Sequence, residues 1–188
     1  MLAGPDELRA TVARLGAAIS EAHPEGVVLV GLLKGSLIFL ADLARALTVD
    51  VTVEFLAVTS YERGSGRVRL VLDLGADVTG RAVVLVEDVV DTGLTLAYLL
   101  AELERRSAAS VEVCALADRR SRRIVPVRVD WVGFEVGDEF LVGYGVDHAG
   151  RYRNLRLLAA ADAAALDADP DAYVSSLYGM AREGRSRG

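Results

Sequence analysis

The sequence predicts an α/β fold, a parallel twisted sheet flanked by helices, with a small hood lobe contributed by the terminal regions. Two observations carry that expectation. Apolar runs of strand length recur at VVLVGLL (27–33), AVVLVED (82–88) and VEVCALA (111–117), without the alternation of a half-exposed strand. Stretches of helical spacing fall between strands, and strands alternating with helices specify parallel pairing through crossovers.

The elements follow in order. Residues 5–22 place Leu8, Val12, Leu15 and Ile19 on one helical face, with Pro5 in a first turn. VVLVGLL is the first buried strand, and SLIFLADLARAL (36–47) returns to helical spacing. VTVEFLAVTS (51–60) opens with strand-like alternation. YERGSGRVR (61–69) is polar and glycine-bearing, which specifies a mobile loop, and LVLDL (70–74) can pair after it. A turn over 77–80 leads into AVVLVED, a helix is expected over about 95–106, and VEVCALA is the next strand.

Beyond Pro126 the pattern changes. VDWVGFEV (129–136) and FLVGYGVD (140–147) are short strand-like pieces broken by glycines, expected to build a small lobe or an edge extension. DPDAYVSSLYGMA (169–181) reads as a terminal helix with Asp169 as cap and Pro170 at its first position. The tail 182–188 is expected to be disordered. The expected organisation is a single domain over 1–188. Its core covers about 24–125, and hood elements cover about 1–23 and 126–180.

Composition narrows the function classes. A net charge of -6 gives no global field toward nucleic acid or an anionic membrane surface. An anionic ligand would need local devices: a helix N-terminus, a few cations or a metal ion. The single cysteine, Cys114, can form neither an internal disulfide nor a cysteine cluster and reads as a buried, inert thiol. MLAGPDELRA carries acids and no apolar core, unlike a signal peptide. No apolar run approaches the ~20 residues of a membrane helix. A cytoplasmic protein with no nucleic-acid and no membrane partner is expected.

The stretch with the most chemistry is VVLVEDVVDTGLT (83–95). In open parallel sheets, ligands bind beyond the carboxyl ends of the strands, and Glu87, Asp88 and Asp91 fall at such an end. Gly93 lets backbone N–H groups approach a ligand, Thr92 and Thr95 add hydroxyls, and the following helix N-terminus suits a phosphate. The acids suit a metal ion, sugar hydroxyls or proton transfer. An acidic helix start that only complements the macrodipole is the plain alternative. Three acids after a fully apolar strand fit it poorly, because their desolvation calls for a partner. A phospho-acceptor receiver domain would need an early strand-end Asp pair and a later Lys, and neither is well placed.

VVLVEDVVDTGLT resembles the phosphoribosyl-pyrophosphate (PRPP) signature of type I phosphoribosyltransferases. LLKGS (32–36), VTSYERG (58–64) and FLVGYGVDHAGRYRNL (140–155) resemble, in the same order, segments of hypoxanthine-guanine phosphoribosyltransferases, over roughly residues 27–158. The resemblance implies a Rossmann-like type I phosphoribosyltransferase core. It also implies Mg²⁺-dependent transfer of ribose 5-phosphate from PRPP to N9 of a 6-oxopurine, with release of pyrophosphate, by a homo-oligomer.

By that resemblance Asp91, Thr92, Gly93, Leu94 and Thr95 cradle the 5′-phosphate, and Asp91 is the general base or acid at the purine. Glu87 and Asp88 face the ribose and hydrated Mg²⁺. Lys34 and Gly35 bind pyrophosphate after a cis peptide, with Arg153. Ser60 and Tyr61 begin a flexible lid. Phe140 stacks on the purine, Leu141 presents backbone groups to it, and Asp147 joins the purine site and binds a second Mg²⁺. The plain alternatives are a Lys-Gly turn, a strand end, core packing for Phe140, and a surface ion pair for Asp147 and Arg153.

One position departs from the family's pattern. Arg119, in ADRRSRR (117–123), stands where the family usually has a Lys that donates to purine O6. Arg also donates, more rigidly, and a cation cannot accept from an amine. The preference among hypoxanthine, guanine and xanthine is therefore open. His148 stands where an aromatic is commoner and reads as an exposed loop histidine. The RRSRR run reads as solvated charge. A PRPP-sensing RNA-binding regulator and a non-catalytic PRPP-binding subunit are the competing readings on the same fold.

Overall fold

A computed structural model describes residues 1–60 and 68–183. Its centre is a six-stranded sheet in the order β3-β2-β1-β4-β5-β6. The strands are β1 Val27–Leu32, β2 Val51–Ser60, β3 Val68–Leu72, β4 Ala82–Val90, β5 Ser110–Asp118 and β6 Trp131–Glu135. All neighbours pair in parallel except β2 and β3, which form an antiparallel edge. The helices of this unit are α1 Pro5–Ala22, α2 Leu37–Ala46 and α3 Leu94–Glu104.

Alternate residues of the central strands feed two cores, because successive side chains point to opposite faces. On one face Leu29, Val84, Val86, Cys114 and Leu116 meet Leu8, Val12, Leu15 and Ile19 of α1 and Phe39, Leu40 and Leu43 of α2. On the other, Val28, Val30, Val83, Leu85 and Val113 meet Leu96, Leu99 and Leu103 of α3. Cys114 is buried, and burial pushes its thiol pKa far up, as suits an inert core residue.

Phe140–Val142 (β7) and Ala159–Ala161 (β8) form a separate antiparallel pair. With Ala163–Ala168 (α4) and Val174–Glu183 (α5) they enclose a third cluster that includes Val142, Tyr152, Leu157 and Leu166. This is the hood. The chain start joins it through hydrogen bonds between Leu2 and Ala3 and Leu158.

Four expectations need correction. Trp131–Glu135 pairs in parallel with β5, so the core sheet continues past residue 125. VDWVGFEV is thus an edge extension, while FLVGYGVD opens the lobe. Helix α1 belongs to the core and not the hood, because its apolar stripe finds the sheet face to cover. The terminal helix begins at Val174. Asp169 instead accepts the Asp171 N–H at 2.9 Å and closes a turn, whereas Asp162 caps the unanticipated α4. Finally, α5 extends to Glu183, two residues into the stretch expected to be disordered; residues 184–188 lie outside the described ones. Among the described residues no helix is long and apolar enough to cross a membrane.

Leu15 is completely buried between α1 and the sheet. Leu15→Ala should lower the unfolding free energy by about 2–5 kcal/mol, read by urea titration, without moving the ligand-binding residues.

Candidate active site at the switch point of the sheet

The strand order sends β1 and β4 apart from the centre: the chain leaves β1 toward β2 and leaves β4 toward β5. Between neighbouring strands whose connections diverge, the carboxyl ends leave a crevice, and this is where open α/β sheets bind ligands. The loop after β1 is Leu33-Lys34-Gly35-Ser36, and the loop after β4 begins at Asp91. The two quoted motifs therefore meet because their strands are adjacent.

They meet closely. A Cβ on Gly35 would lie 1.7 Å from Asp88 Oδ2, and one on Gly145 would lie 2.2 Å from the Gly35 carbonyl oxygen. Gly145 also has φ +103, a conformation that favours glycine. The order Asp88–Gly35–Gly145 stacks three segments that are far apart in sequence. The Leu33–Lys34 peptide is cis, as the resemblance implied. Ser36 Oγ donates to the Leu32 carbonyl at 2.6 Å, and Lys34 is exposed.

Glu87 and Asp88 are consecutive on β4, so they leave by opposite faces. Asp88 turns toward Gly35 and the α2 side, and Glu87 toward α3, where it is only 6% exposed. Burial first, then repulsion from Asp88, holds the Glu87 carboxyl well above the usual range. Asp88 is raised too, chiefly by burial and also by Asp147, against backbone N–H groups and the Arg153 cation, which lower it. These are hard oxygen donors short of positive charge. Among the described residues no three acids, histidines or cysteines form a ready metal cage. The pair fits Mg²⁺, which keeps several waters and takes substrate phosphate oxygens alongside one or two carboxylates.

Gly93 caps α3 with φ +85, and a Cβ there would strike the Val125 carbonyl oxygen at 2.7 Å. The helix starts at Leu94, so its first N–H groups face the turn formed by Asp91 and Thr92. Glu87, Asp88, Asp91, Thr92, Gly93 and Thr95 line one cavity of about 290 Å³. A larger cleft, about 630 Å³, lies between α1, α2 and the 144–156 segment and holds Arg153 but none of these acids. The acids, the glycine turn and the helix start make the smaller cavity the candidate site.

Arg119 is 6% exposed and leaves little to chance in its orientation. Its Nε donates to Gly137 O at 2.9 Å, Nη2 donates to Glu139 O, and Nη1 meets Asp91 Oδ2 at 3.2 Å. Asp91 Oδ1 accepts no hydrogen bond from the described residues. Arg122 Nε, 3.5 Å away, forms an ion pair with it without hydrogen-bond geometry. One oxygen of Asp91 is thus positioned and the other is an available acceptor.

The 140–155 segment carries the remaining predicted residues. Arg153 Nη2 pairs with Asp147 Oδ1 at 2.5 Å, and its Nη1 donates to Gly145 O at 2.7 Å. Asp147 Oδ2 accepts the Gly150 N–H at 2.8 Å. Phe140 is half-buried at the start of β7, and the Leu141 side chain packs in the core. Ser60 ends β2, where it pairs with Val68, and Tyr61 lies outside the described residues.

Sequence reasoning missed three features. His148 is not exposed: its side chain is 17% accessible and packs edge-on against Phe140, ring centroids 5.5 Å apart. Tyr144 Oη hydrogen-bonds Asp42 Oδ2 at 2.6 Å, tying the hood to α2. The RRSRR run is not uniformly solvated, because Arg119 and Arg123 turn inward to buried acceptors. The available signal was Asp118, an acid directly after the apolar run VEVCALA, which the fold buries.

The phosphoribosyl transferase domain family model matches residues 5–149. The chain is 44% identical over 162 residues to the hypoxanthine phosphoribosyltransferase of Haemophilus influenzae, covering 82% of this chain and 90% of that protein. It is 40% identical over 159 residues to the hypoxanthine-guanine phosphoribosyltransferase of Bacillus subtilis, covering 82% and 88%. A crystal structure of a hypoxanthine-guanine phosphoribosyltransferase from Bacillus anthracis superposes with a TM-score of 0.83 at 37% identity, covering 86% of this chain and 98% of that one.

The raised acids have a consequence for stability. The folded chain keeps protons on Glu87 and Asp88 at pH values where the unfolded chain has released them. Stability therefore falls as pH rises from the ordinary carboxylate range through their elevated values. Without divalent ions, Glu87→Gln should melt above the parent at alkaline pH, with the gap closing as the solution is acidified. Parallel melting curves across pH would rule this out.

Proposed function

The chain belongs to the phosphoribosyl transferase family, and from that premise we propose that it is a purine-salvage enzyme. It transfers ribose 5-phosphate from PRPP to N9 of hypoxanthine or guanine, giving IMP or GMP and pyrophosphate. The observation that carries this reading is the stacking of Asp88, Gly35 and Gly145, which brings the acid pair, the pyrophosphate loop and the purine segment to one crevice.

In this reading Thr92, Gly93, Leu94 and Thr95 hold the 5′-phosphate against the α3 N-terminus, where backbone N–H groups and the helix dipole favour an anion. Lys34, Gly35 and Arg153 take the pyrophosphate. Glu87, Asp88 and Asp147 are the candidate Mg²⁺ holders; the ion, when bound, neutralises the leaving pyrophosphate. The same acids stabilise positive charge developing on the ribose. Ser60 and Tyr61 begin a lid that keeps water from that centre.

The purine is read by its O6 and N7, which lie side by side on one edge. Arg119 Nη1 and Asp91 Oδ2 are paired at 3.2 Å, which leaves Asp91 Oδ1 as the available acceptor for that edge. Arg119 donates to O6, and Asp91 exchanges a proton at N7 as the N9 bond forms. Phe140 stacks on the ring, Leu141 contributes backbone groups, and His148 sets the Phe140 ring angle. A 6-amino group offers Arg119 a donor where an acceptor is needed.

The inward turn of Arg119 and Arg123 thins the basic patch that an RNA-binding regulator would require. A cytoplasmic homo-oligomer, dimer or tetramer, completes the proposal, with sedimentation as its measure.

Steady-state assays with PRPP and Mg²⁺ should give turnover with hypoxanthine or guanine at least about 100-fold above adenine. Turnover with adenine or uracil alone would overturn the assignment. Asp91→Asn should lower kcat by about 10²–10⁴-fold while leaving PRPP binding near that of the parent. Unchanged kcat would remove Asp91 from proton transfer.

A further inference from the structure

Arg123 reads as surface charge in the sequence, yet its side chain is only 15% exposed. It makes three contacts with three segments. Nε donates to the Asp91 carbonyl at 3.1 Å, Nη1 donates to the Val127 carbonyl at 3.2 Å, and Nη2 pairs with Asp118 Oδ1. Asp118 is buried at the end of β5 and is also held by Arg120 Nε at 3.1 Å. The guanidinium thus joins a fixed anion on β5 to the main chain where the loop after β4 begins.

The neighbouring backbone tightens this link. The Ile124 and Val125 N–H groups both donate to the Thr92 carbonyl, at 2.9 and 3.1 Å. Gly93 sits so close that an added Cβ would lie 2.9 Å from Arg123 Cδ and 2.7 Å from the Val125 carbonyl oxygen. The carbonyls of Asp91 and Thr92 are therefore engaged from behind by residues 123–125. With those carbonyls tied back, the N–H side of the turn and the first turn of α3 face the cavity. A planar fork can satisfy three acceptors in fixed directions, which a lysine ammonium on a flexible stem cannot do.

We propose that Arg123 is a positioning residue for the 5′-phosphate: it holds the Asp91–Gly93 turn from behind, so that the loop's N–H groups are aimed before the anion arrives. The inference rests on the phosphoribosyltransferase reading and deepens it. Arg123 does not touch the ligand. It acts through the turn, and its buried charge lies directly under the phosphate loop. Because Arg119 holds the Asp91 side chain independently, the effect should be confined to ligands that carry a 5′-phosphate.

The test compares GMP with guanosine, which differ by that phosphate alone, in equilibrium binding to the parent, Arg123→Gln and Arg123→Lys, with thermal unfolding recorded alongside. Both variants should bind GMP about tenfold or more weakly, with guanosine affinity unchanged. If the glutamine variant does not fold, Arg123→Lys carries the test, because it keeps a cation opposite Asp118. Arg123→Lys binding GMP as the parent does would overturn positioning by the fork. Equal weakening of GMP and guanosine would reduce Arg123 to a general structural role and also overturn it. A parent chain with no preference for GMP over guanosine would overturn the phosphoribosyltransferase reading itself, and this inference with it.

Discussion

The site depends on a contact that leaves no room for a side chain. Asp88 reaches across to Gly35, and the Gly35 carbonyl oxygen lies where a Cβ of Gly145 would be. A methyl group at either glycine would push apart the ends of β1 and β4 or lift the 140–155 segment off the core. Because protein interiors are close-packed, such a displacement cannot be absorbed locally. The three loops therefore share one position, and the hood is registered on the sheet through it. The Tyr144–Asp42 hydrogen bond, one residue from Gly145, holds the same joint from the α2 side.

Charge is distributed around that joint in an uneven way. The acids at the end of β4 are desolvated and raised, and nearby cations offset this only in part, through Arg153 acting on Asp88. Arg153 is paired with Asp147, and Arg119 with Asp91. Desolvated carboxylates without a counter-charge are unfavourable in the free chain, but they create a strong local preference for a cation that arrives with the ligand. In the proposed reading, a chain of net charge -6 would bind an anionic substrate in this way, with the helix N-terminus and an accompanying metal ion supplying what the overall field does not.

The arginine run after β5 has two roles. Arg120 and Arg122 are mostly exposed, whereas Arg119 and Arg123 are inward and each binds two backbone carbonyls and one carboxylate. A lysine at either place could match the charge but not the geometry. The departure at Arg119 thus has a structural consequence: its guanidinium fixes the 137–139 turn, besides the purine contact proposed for it. Arg119 and Arg123 together clamp the loop after β4, one at the Asp91 side chain and the other at its carbonyl.

The sequence by itself determined most of the core elements and the candidate chemistry of the loops. Continuous apolar runs marked β1, β4 and β5, helical spacing marked α1, α2 and α3, and acids followed by Thr-Gly-x-Thr marked a phosphate turn, all because these properties are set by residues near one another in the chain. The family resemblance joined the distant loops, but as an analogy and not as a distance. Only the tertiary structure decided what depends on strand order: that β1 lies beside β4, that Asp88 turns toward α2 and Glu87 toward α3, and that Gly35 touches both Asp88 and Gly145. It likewise turned Arg119 and Arg123 inward and placed α1 and β6 in the core. A charged side chain on a short loop is equally compatible with water and with a buried carbonyl. What decides between them is whether folding brings acceptors within reach, and here those acceptors are Asp91, Val127, Gly137 and Glu139 on loops and Asp118 at the end of β5.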